Sequence, residues 1–289
     1  MKQLKAPRLL RAADLNKKTR PLYAFVERKL LEDLSRIGAS ARSQALDVAL
    51  IGGLAIRAYA GAFRYTHDMD FLVSSTDIQR FIQILNILGY TEPENQLHPN
   101  LYRAAERRVN YDSSEVMLHI DISIDSASDI VSGTRRYPIP SRRIFEDAKS
   151  LKIPAYLTPG VLSSEGVKVI SPEDLFILKT LIRDDPERFK DTFDVFLLLL
   201  NHALDPSKLW AIAKGEQHIE EQLEAQIARK LFRILESLDA NWGGSESTTE
   251  NGEGMRSPPR FVNEPEIEIL RQRKTQIEEA LKRISTFGL

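Results

Sequence analysis

The sequence contains no cysteine among its 289 residues and only five histidines. Without cysteine, a disulfide scaffold, a thiolate zinc site and a cysteine nucleophile are excluded, and the composition is typical of a reducing compartment. The histidines show neither HxxxH nor HExxH spacing, so we do not expect a histidine metal centre. These absences predict a cytoplasmic protein in which any bound metal would have oxygen ligands.

Long hydrophobic runs are also absent. No stretch approaches the roughly 18 uninterrupted apolar residues of a membrane span, and the run at residues 22–26 is too short for a secretory signal core. Lys and Arg number 40 against 41 Asp and Glu, which excludes a polycation and an acidic disordered chain. With 42% hydrophobic residues, the chain can bury one sizeable core or two smaller ones. We expect a soluble intracellular protein of the α/β or α+β class that does not associate with a membrane.

The near-zero net charge hides a basic N-terminal segment. Residues 1–44 contain eleven Lys and Arg against four Asp and Glu. One interpretation is a solvated amphipathic helix, and the other is a basic arm that attracts phosphate. Apolar residues recur with a helical period from Pro21, and we expect this helix to end at Gly38.

The rest of the chain divides into a region of strands and helices and a mainly helical region. Strands separated by helices, with a hairpin-like pair near residues 101–125, predict an α+β fold in which helices flank a mixed sheet. Ser171 is expected to cap a helix that has proline at its first position. The predicted segments are a basic helical segment 1–44, a core 45–170, and a helical C-terminal region 171–289 with a flexible loop at 241–259. The predicted elements are strands at 47–51, 68–73 and 115–125, and helices at 54–60, 78–88, 172–182 and 189–200, with a charged helix from 265.

Two aspartates on the second predicted strand suggest a metal site. Asp68 and Asp70 are two residues apart, so their side chains share one face of the strand and repel each other unless a cation lies between them. Asp121 lies on the polar face of the alternating strand 115–125 and would complete the set. Mg²⁺ prefers such oxygen ligands and usually retains substrate phosphates as further partners.

Gly52 and Gly53 lie at the turn from the first strand into a helix. Without side chains there, a polyphosphate can approach the backbone N–H groups at the helix N-terminus. Each feature alone has an ordinary explanation, as a tight turn or as a solvated strand face. Their combination in this order, with Asp68 fifteen residues after Gly53, predicts a two-metal phosphoryl-transfer site.

The segment LIGGLAIRAYAGAFRYTHDMDFLV, residues 50–73, resembles the first motif of the AbiEii/AbiGii-type nucleotidyltransferase toxins, within the DNA-polymerase-β-like nucleotidyltransferase superfamily. The later segment SPEDLFILKTLIRDDPERFKDTFDVFLLL resembles the family's downstream motif. The resemblance covers about residues 45–200. The matching positions are Gly52, Gly53, Ala55, Arg64, Thr66, Asp68 and Asp70 in the first motif, and Lys179, Arg188, Asp191 and Asp194 in the second.

This resemblance implies a nucleotidyltransferase fold and transfer of NMP from an NTP to an acceptor, with pyrophosphate leaving. It implies Mg²⁺ or Mn²⁺ as cofactor, a tRNA 3′ end or a protein hydroxyl as acceptor, and a role as the toxin of a toxin–antitoxin or phage-defence pair with a cognate antitoxin. Two alternatives remain: a small-molecule nucleotidyltransferase of the aminoglycoside-modifying kind, and a nucleotide-binding module without turnover.

Roles for the individual residues follow from their chemistry and from the resemblance. Asp68 and Asp70 would hold the metal, and Asp121 would be a further ligand or a general base. Lys179 would neutralise charge on the triphosphate, and Arg64 would either contact phosphate or brace the strand that carries the aspartates. Gly52 and Gly53 would bind the NTP through the backbone of the turn, and the resemblance adds Thr66 to the NTP-binding residues. It also implies that Asp191 is an active-site acid, against the alternative of a helix-surface partner for Arg188. Asp194 is interpreted as structural.

Further polar residues lie near these motifs. His119 shares the polar face with Asp121 and would either tune that carboxylate or contact nucleotide, whereas His67 and Asp125 are interpreted as packing or surface residues. Several basic pairs with nearby aromatic residues suggest an RNA-binding track, although solvated strand and loop faces explain them as well. These residues are Tyr102, Arg103, Arg107, Arg108, Arg135, Arg136, Arg142 and Arg143.

Overall fold

The computed structural model of the chain describes residues 3–4, 20–62, 65–93, 102–112, 114–125, 128–129, 135–136, 141–158, 160–181, 189–200, 204–215, 223, 226–230 and 275. Within these ranges no helix has the length and apolar character needed to cross a membrane. The predicted loop 241–259 lies outside the described residues, as does the predicted C-terminal helix apart from Thr275.

The helices are α1 (Arg20–Ser43), α2 (Gly52–Ala60), α3 (Ile78–Ile87), α4 (Ser141–Asp147), α5 (Pro172–Leu181), α6 (Phe189–Leu200) and α7 (Pro206–Gly215). The strands are β1 (Gln3–Leu4), β2 (Val48–Ile51), β3 (Asp68–Val73), β4 (Tyr102–Tyr111), β5 (Ser114–Ile124), β6 (Ser128–Asp129), β7 (Arg135–Arg136), β8 (Lys149–Leu151) and β9 (Val167–Val169). The predicted α+β class is confirmed. The division at residues 44 and 170 stays a prediction, and α1 packs into the same hydrophobic core as the sheet.

Seven of the strands in the described ranges form one mixed sheet. The strand β5 is central to it, because β3 and β1 pair with it in parallel and β4 pairs with it antiparallel. On the far side of β3, β2 is antiparallel to β3 and parallel to β9, which is followed by β8. The β4–β5 pair confirms the predicted hairpin. The mixed topology brings β3 and β5, which are distant in sequence, into direct register.

The alternation along β5 is confirmed by burial. The five apolar side chains on one face of the strand are at most 5% exposed, so this face lies in the core, and the opposite face carries the polar residues together with Met117. These five residues are Val116, Leu118, Ile120, Ile122 and Ile124. Burial of a branched apolar side chain contributes about 1.5–3 kcal/mol, which is why this face determines the register of the strand.

The expected end of α1 at Gly38 was wrong, because the helix continues to Ser43. Gly38 lies inside the helix, where an added Cβ would lie 2.9 Å from the carbonyl oxygen of Gly166 and 3.2 Å from Val167. The glycine therefore allows α1 to approach the start of β9 closely, and it does not terminate the helix. Side chains of α1 such as Leu34 and Ile37 are fully buried on this side.

The helices that follow the sheet begin as predicted. The backbone N–H of Asp174 donates to Ser171 Oγ at 3.1 Å, so Ser171 caps α5, and Pro172 occupies the first helical position. The helix α6 spans 189–200 as expected. The sequence pattern therefore located the two helices that carry the downstream motif.

Candidate active site

Three carboxylates meet where β3 and β5 run side by side. In the parallel register Asp70 is paired with Asp121, and Asp68 is paired with His119. Because alternate residues of a strand share a face, Asp68 and Asp70 project from the same side of the sheet as Asp121. One carboxylate oxygen from each of the three residues lies within 4.8 Å of the other two. The structure therefore brings together the three aspartates that the sequence suggested as metal ligands.

The glycine turn contacts this cluster directly. Gly52 is the first residue of α2 and has φ = +70°, a backbone conformation that glycine adopts without steric cost. A Cβ at this position would overlap the Asp70 carboxylate. Gly52 is therefore required both for the sharp turn from β2 and for the close approach of Asp70 to the N-terminus of α2.

Asp70 experiences strong repulsion in this arrangement. Burial, together with the negative charges of Asp68 and Asp121, raises its pKa to about 8. The positive charges of Lys179 and Lys190 lower the pKa but do not compensate. Three oxygen ligands held together against their own repulsion are a donor set that fits a hard divalent cation.

Asp121 is held by side chains from two strands. The Tyr102 hydroxyl on β4 donates to Asp121 Oδ1, and His119 Nε2 lies 2.8 Å from the same oxygen. On the other side of the imidazole ring, His119 Nδ1 lies 3.4 Å from Glu106 Oε1. Burial disfavours the charged imidazole, but the hydrogen bond to Asp121 and the nearby carboxylates outweigh burial, so the pKa of His119 is raised above its ordinary value. Of the two predicted roles for His119, the structure shows the contact with Asp121.

Thr66 contacts Asp68 within the first motif. Its hydroxyl donates to Asp68 Oδ1 at 2.5 Å, and the Thr66 side chain is buried. In this position Thr66 orients the carboxylate. Arg64, the other predicted NTP contact of this segment, lies outside the described residues.

The downstream motif forms a second, buried charge cluster. Lys179 Nζ on α5 lies 2.5 Å from Asp191 Oδ1 and 3.0 Å from Asp194 Oδ2, both on α6. All three side chains are at most 8% exposed. Asp191 is therefore not on the helix surface, which contradicts the alternative interpretation as an exposed partner of Arg188; Arg188 itself lies outside the described residues. Asp194, which was interpreted as structural, pairs with the same lysine.

Most described members of the suggested RNA track pair within the protein. Arg107 Nη1 lies 3.0 Å from Asp33 Oδ1 and also donates to the Leu88 carbonyl. Arg103 pairs with Glu92, Arg108 with Glu115, and Arg143 with Asp174. The side chains of Arg135, Arg136 and Arg142 lie outside the description. These internal pairs favour a structural role for the described arginines.

His67 and Asp125, the two residues interpreted as packing or surface groups, make a ring contact and a backbone contact. The His67 ring stacks at a centroid distance of 6.3 Å on Tyr65. Asp125 lies at the end of β5, where its Oδ1 accepts a hydrogen bond at 2.7 Å from the backbone of Ser75.

Sequence reasoning missed three residues around the carboxylates. It placed Tyr102 in an RNA track, and it did not single out Glu106 or Lys190. The hairpin register was a usable signal for the first two, because it pairs Glu106 with His119 and places Tyr102 two residues from the partner of Asp121. Lys190 directly precedes Asp191 in the first turn of α6, and its side chain is half-buried. The positive charge of Lys190 lowers the pKa of Asp70.

Comparison with known proteins identifies the family of the chain. The model of the family described as nucleotidyl transferase AbiEii toxin, type IV TA system, matches residues 33–244. The match extends beyond the region of about 45–200 that carried the resemblance and includes both motifs. The chain belongs to this family and is a nucleotidyltransferase.

Among solved structures, the chain is similar to three proteins at low sequence identity. The lincomycin-bound lincosamide antibiotic adenylyltransferase LnuA is 14% identical, with 55% of this chain and 89% of that chain covered and a TM-score of 0.32. ANT(2″)-Ia in complex with adenylyl-2″-tobramycin is 18% identical over 70% of this chain and 98% of that chain, with a TM-score of 0.40. JHP933 from Helicobacter pylori is 15% identical over 75% and 97%, with a TM-score of 0.39. No curated protein matches the sequence. Because these TM-scores are low, the assignment stands on the family model.

Proposed function

We propose that this AbiEii-family nucleotidyltransferase transfers NMP from an NTP to a hydroxyl of a macromolecular acceptor, a tRNA 3′ end or a protein side chain, and acts as the toxin of a toxin–antitoxin pair. The observation that carries the proposal is the meeting of Asp68, Asp70 and Asp121 within 4.8 Å, against the N-terminus of α2.

The carboxylates are proposed to bind Mg²⁺ or Mn²⁺, which would neutralise the triphosphate and activate the attacking hydroxyl. Asp68 and Asp70 would ligate the cation, with Thr66 holding the orientation of Asp68. Asp121 faces Asp70 across the strand pair and would be either a third ligand or the acceptor of the hydroxyl proton. The raised pKa of Asp70 supports this assignment, because a bound cation would relieve the repulsion that causes part of the shift.

Binding of the NTP is proposed to use the N-terminus of α2 and two lysines. Gly52 and Gly53 form the first turn of α2, at the positive end of the helix dipole, and Gly52 lies against Asp70. The charges of Lys179 and Lys190 act on Asp70 and would act likewise on a triphosphate bound there. Because Lys179 contacts two aspartates, we propose that Asp191 acts by holding this ammonium, and that Lys190 contributes additional positive charge. Arg64 is proposed as a further phosphate contact from the same motif.

The acceptor and the biological role are inferred from the family. A toxin that modifies tRNA or protein acts where both are made, so we expect it to act in the cytoplasm and to have a cognate antitoxin. Phage defence is the wider context that this family suggests.

The direct test is transfer of label from each α-³²P-labelled NTP in the presence of Mg²⁺ and either total tRNA, cellular protein or an aminoglycoside. The proposal expects labelled tRNA or labelled protein, loss of labelling with EDTA, and recovery when Mg²⁺ is restored in excess. Exclusive labelling of the aminoglycoside would support the small-molecule alternative, and binding of NTP without any labelled product would support the nucleotide-binding module.

The toxin role has a separate test in growing cells. Induced expression of the wild-type protein should arrest growth, whereas the Asp70→Asn variant at the same level should not. Normal growth with an enzyme that is active in vitro would contradict the toxin role without affecting the transfer reaction.

A further inference from the structure

One oxygen of the Asp121 carboxylate receives two donors, and they come from different strands. The Tyr102 hydroxyl reaches Oδ1 from β4, and His119 Nε2 reaches the same atom at 2.8 Å from two residues earlier on β5. A carboxylate oxygen offers about two lone-pair sites, so these two donors saturate Oδ1. Oδ2 is the atom left to bind a cation.

The two donors also resist rotation of the carboxylate group. Rotating the carboxylate about its terminal side-chain torsion, away from the orientation that faces the two donors, would break both hydrogen bonds at once. Hydrogen bonds to a charged acceptor are stronger than those between neutral groups, so the two donors fix the plane of the carboxylate and keep its other oxygen turned away from them. The side chain of Asp121 is half-buried, which preserves much of this effect.

The imidazole itself is fixed from the opposite side. Glu106 is the direct cross-strand partner of His119, and its Oε1 lies 3.4 Å from His119 Nδ1. The ring is thus held between two carboxylates, which determines the direction in which Nε2 points. A ligand residue supported by hydrogen-bonded neighbours in this way is typical of metal sites.

We propose that Tyr102 and His119 are positioning residues that orient Asp121 so that its Oδ2 is a ligand of the divalent cation. This inference rests on the proposed function and makes it more specific, because it assigns Asp121 to cation binding and not to removal of the hydroxyl proton. Neither positioning residue needs to contact the nucleotide or the acceptor.

The experiment measures binding of Mn²⁺ to the full-length protein by electron paramagnetic resonance, without nucleotide and without turnover. The variants are Tyr102→Phe, which removes the hydroxyl, and His119→Leu, which removes the imidazole donor. Each should weaken Mn²⁺ binding by about tenfold, the lower end of the effect known for residues that support metal ligands. His119→Gln retains a side-chain donor that can reach Oδ1 and should restore most of the affinity.

Tyr111→Phe provides the matched control, since Tyr111 lies at the other end of the same strand and packs on Phe25. It should bind Mn²⁺ like the wild type. In steady-state transfer assays, Tyr102→Phe and His119→Leu should raise the Mg²⁺ concentration required for half-maximal activity, with a smaller change in kcat at saturating Mg²⁺.

The outcomes separate this inference from the proposed function. In one outcome the wild type binds Mn²⁺, Asp121→Asn loses binding, and the Tyr102→Phe and His119→Leu variants both bind normally. That result overturns the positioning role but leaves the metal site in place. If Asp121→Asn retains wild-type Mn²⁺ affinity while kcat collapses, Asp121 is the base and the inference is wrong. If the wild type binds no Mn²⁺ and transfers no label, the proposed function and this inference fail together.

Discussion

Two groups of aspartates in this protein differ in how their charge is balanced. Asp68, Asp70 and Asp121 meet where β3 and β5 run side by side, and each of them is half-buried. Burial, together with repulsion between the three carboxylates, raises the pKa of Asp70 to about 8. Asp191 and Asp194 are fully buried on α6, and the ammonium of Lys179 lies within 3.0 Å of both. The first group concentrates negative charge, and the second is compensated by the chain itself.

The difference shows how a protein separates a structural charge cluster from a site for an exchangeable cation. A buried carboxylate needs a permanent partner, because an uncompensated charge in the interior costs several kcal/mol. In a half-buried cluster of carboxylates, solvent screens part of the repulsion between the negative charges. A cation that binds between them relieves the remaining repulsion, and this relief favours its binding.

Replacing Asp70 with Asn should affect activity and stability in opposite directions. Transfer should fall by about a thousandfold or more, because bound cations contribute several kcal/mol of charge stabilisation. Stability without metal should rise by about 1 kcal/mol, since the repulsion is relieved in a side chain of the same shape. Labelled-NTP transfer and urea unfolding in EDTA measure the two effects. Retained transfer would show that the cation binds elsewhere.

Replacing Lys179 with Met should destabilise the fold by about 3–5 kcal/mol, because two buried aspartates would lose the ammonium that lies within 3.0 Å of both. Urea unfolding measures this loss. The triple variant Lys179→Met, Asp191→Leu, Asp194→Leu should recover most of the stability, since it removes the charges together. If the single variant is as stable as the wild type, the cluster is not the permanent ion pair described here.

Gly52→Ala tests the close contact between the turn and Asp70. Alanine at φ = +70° costs about 1–2 kcal/mol by itself, and overlap with the Asp70 carboxylate adds about 1–3 kcal/mol. Gly160→Ala is the matched control, because Gly160 has φ = +85° but nothing within 4 Å of an added Cβ. Only the Gly52 variant should also lose transfer activity. Equal effects of the two variants on stability and activity would argue against the contact.

The smallest expected effect belongs to Thr66→Val. This change keeps the shape of the side chain and removes the hydroxyl that donates to Asp68. Transfer should fall by about tenfold, equivalent to about 1.4 kcal/mol, while Thr66→Ser should retain most activity. The Mg²⁺ dependence of transfer gives the measurement. If the valine variant transfers as well as the wild type, the hydrogen bond from Thr66 to Asp68 does not contribute to the reaction.

Much of the sheet could be predicted because its signals are local. The alternation in β5, the strand before the glycine turn and the capped start of α5 each lie within a few neighbouring residues. The end of α1 was mispredicted because Gly38 serves a contact with residues 166–167, which no local pattern reveals. Glycine ends helices often enough that the local signal favoured the wrong explanation.

Prediction of the candidate site was limited in the same way, by contacts between residues that are distant in the sequence. The three aspartates were grouped correctly because the strand pattern placed them on polar faces of strands that pair. The burial of Lys179 and Asp191 was not predicted, because it depends on how α5 and α6 pack. The arginines suggested as an RNA track pair with residues far along the chain, such as Asp33 and Asp174. Pairing of that kind becomes visible only in three dimensions.

The parallel pairing of β3 with β5 also determines when the carboxylates meet during folding. The hairpin of β4 and β5 closes over a short turn, so Tyr102, His119 and Asp121 can assemble early and locally. Asp68 and Asp70 join them only after a non-local strand pairing that encloses α3 and β4. During folding, the carboxylates of β3 and β5 therefore do not repel each other until these two strands have paired. Asp70→Asn should consequently slow unfolding far more than it accelerates folding.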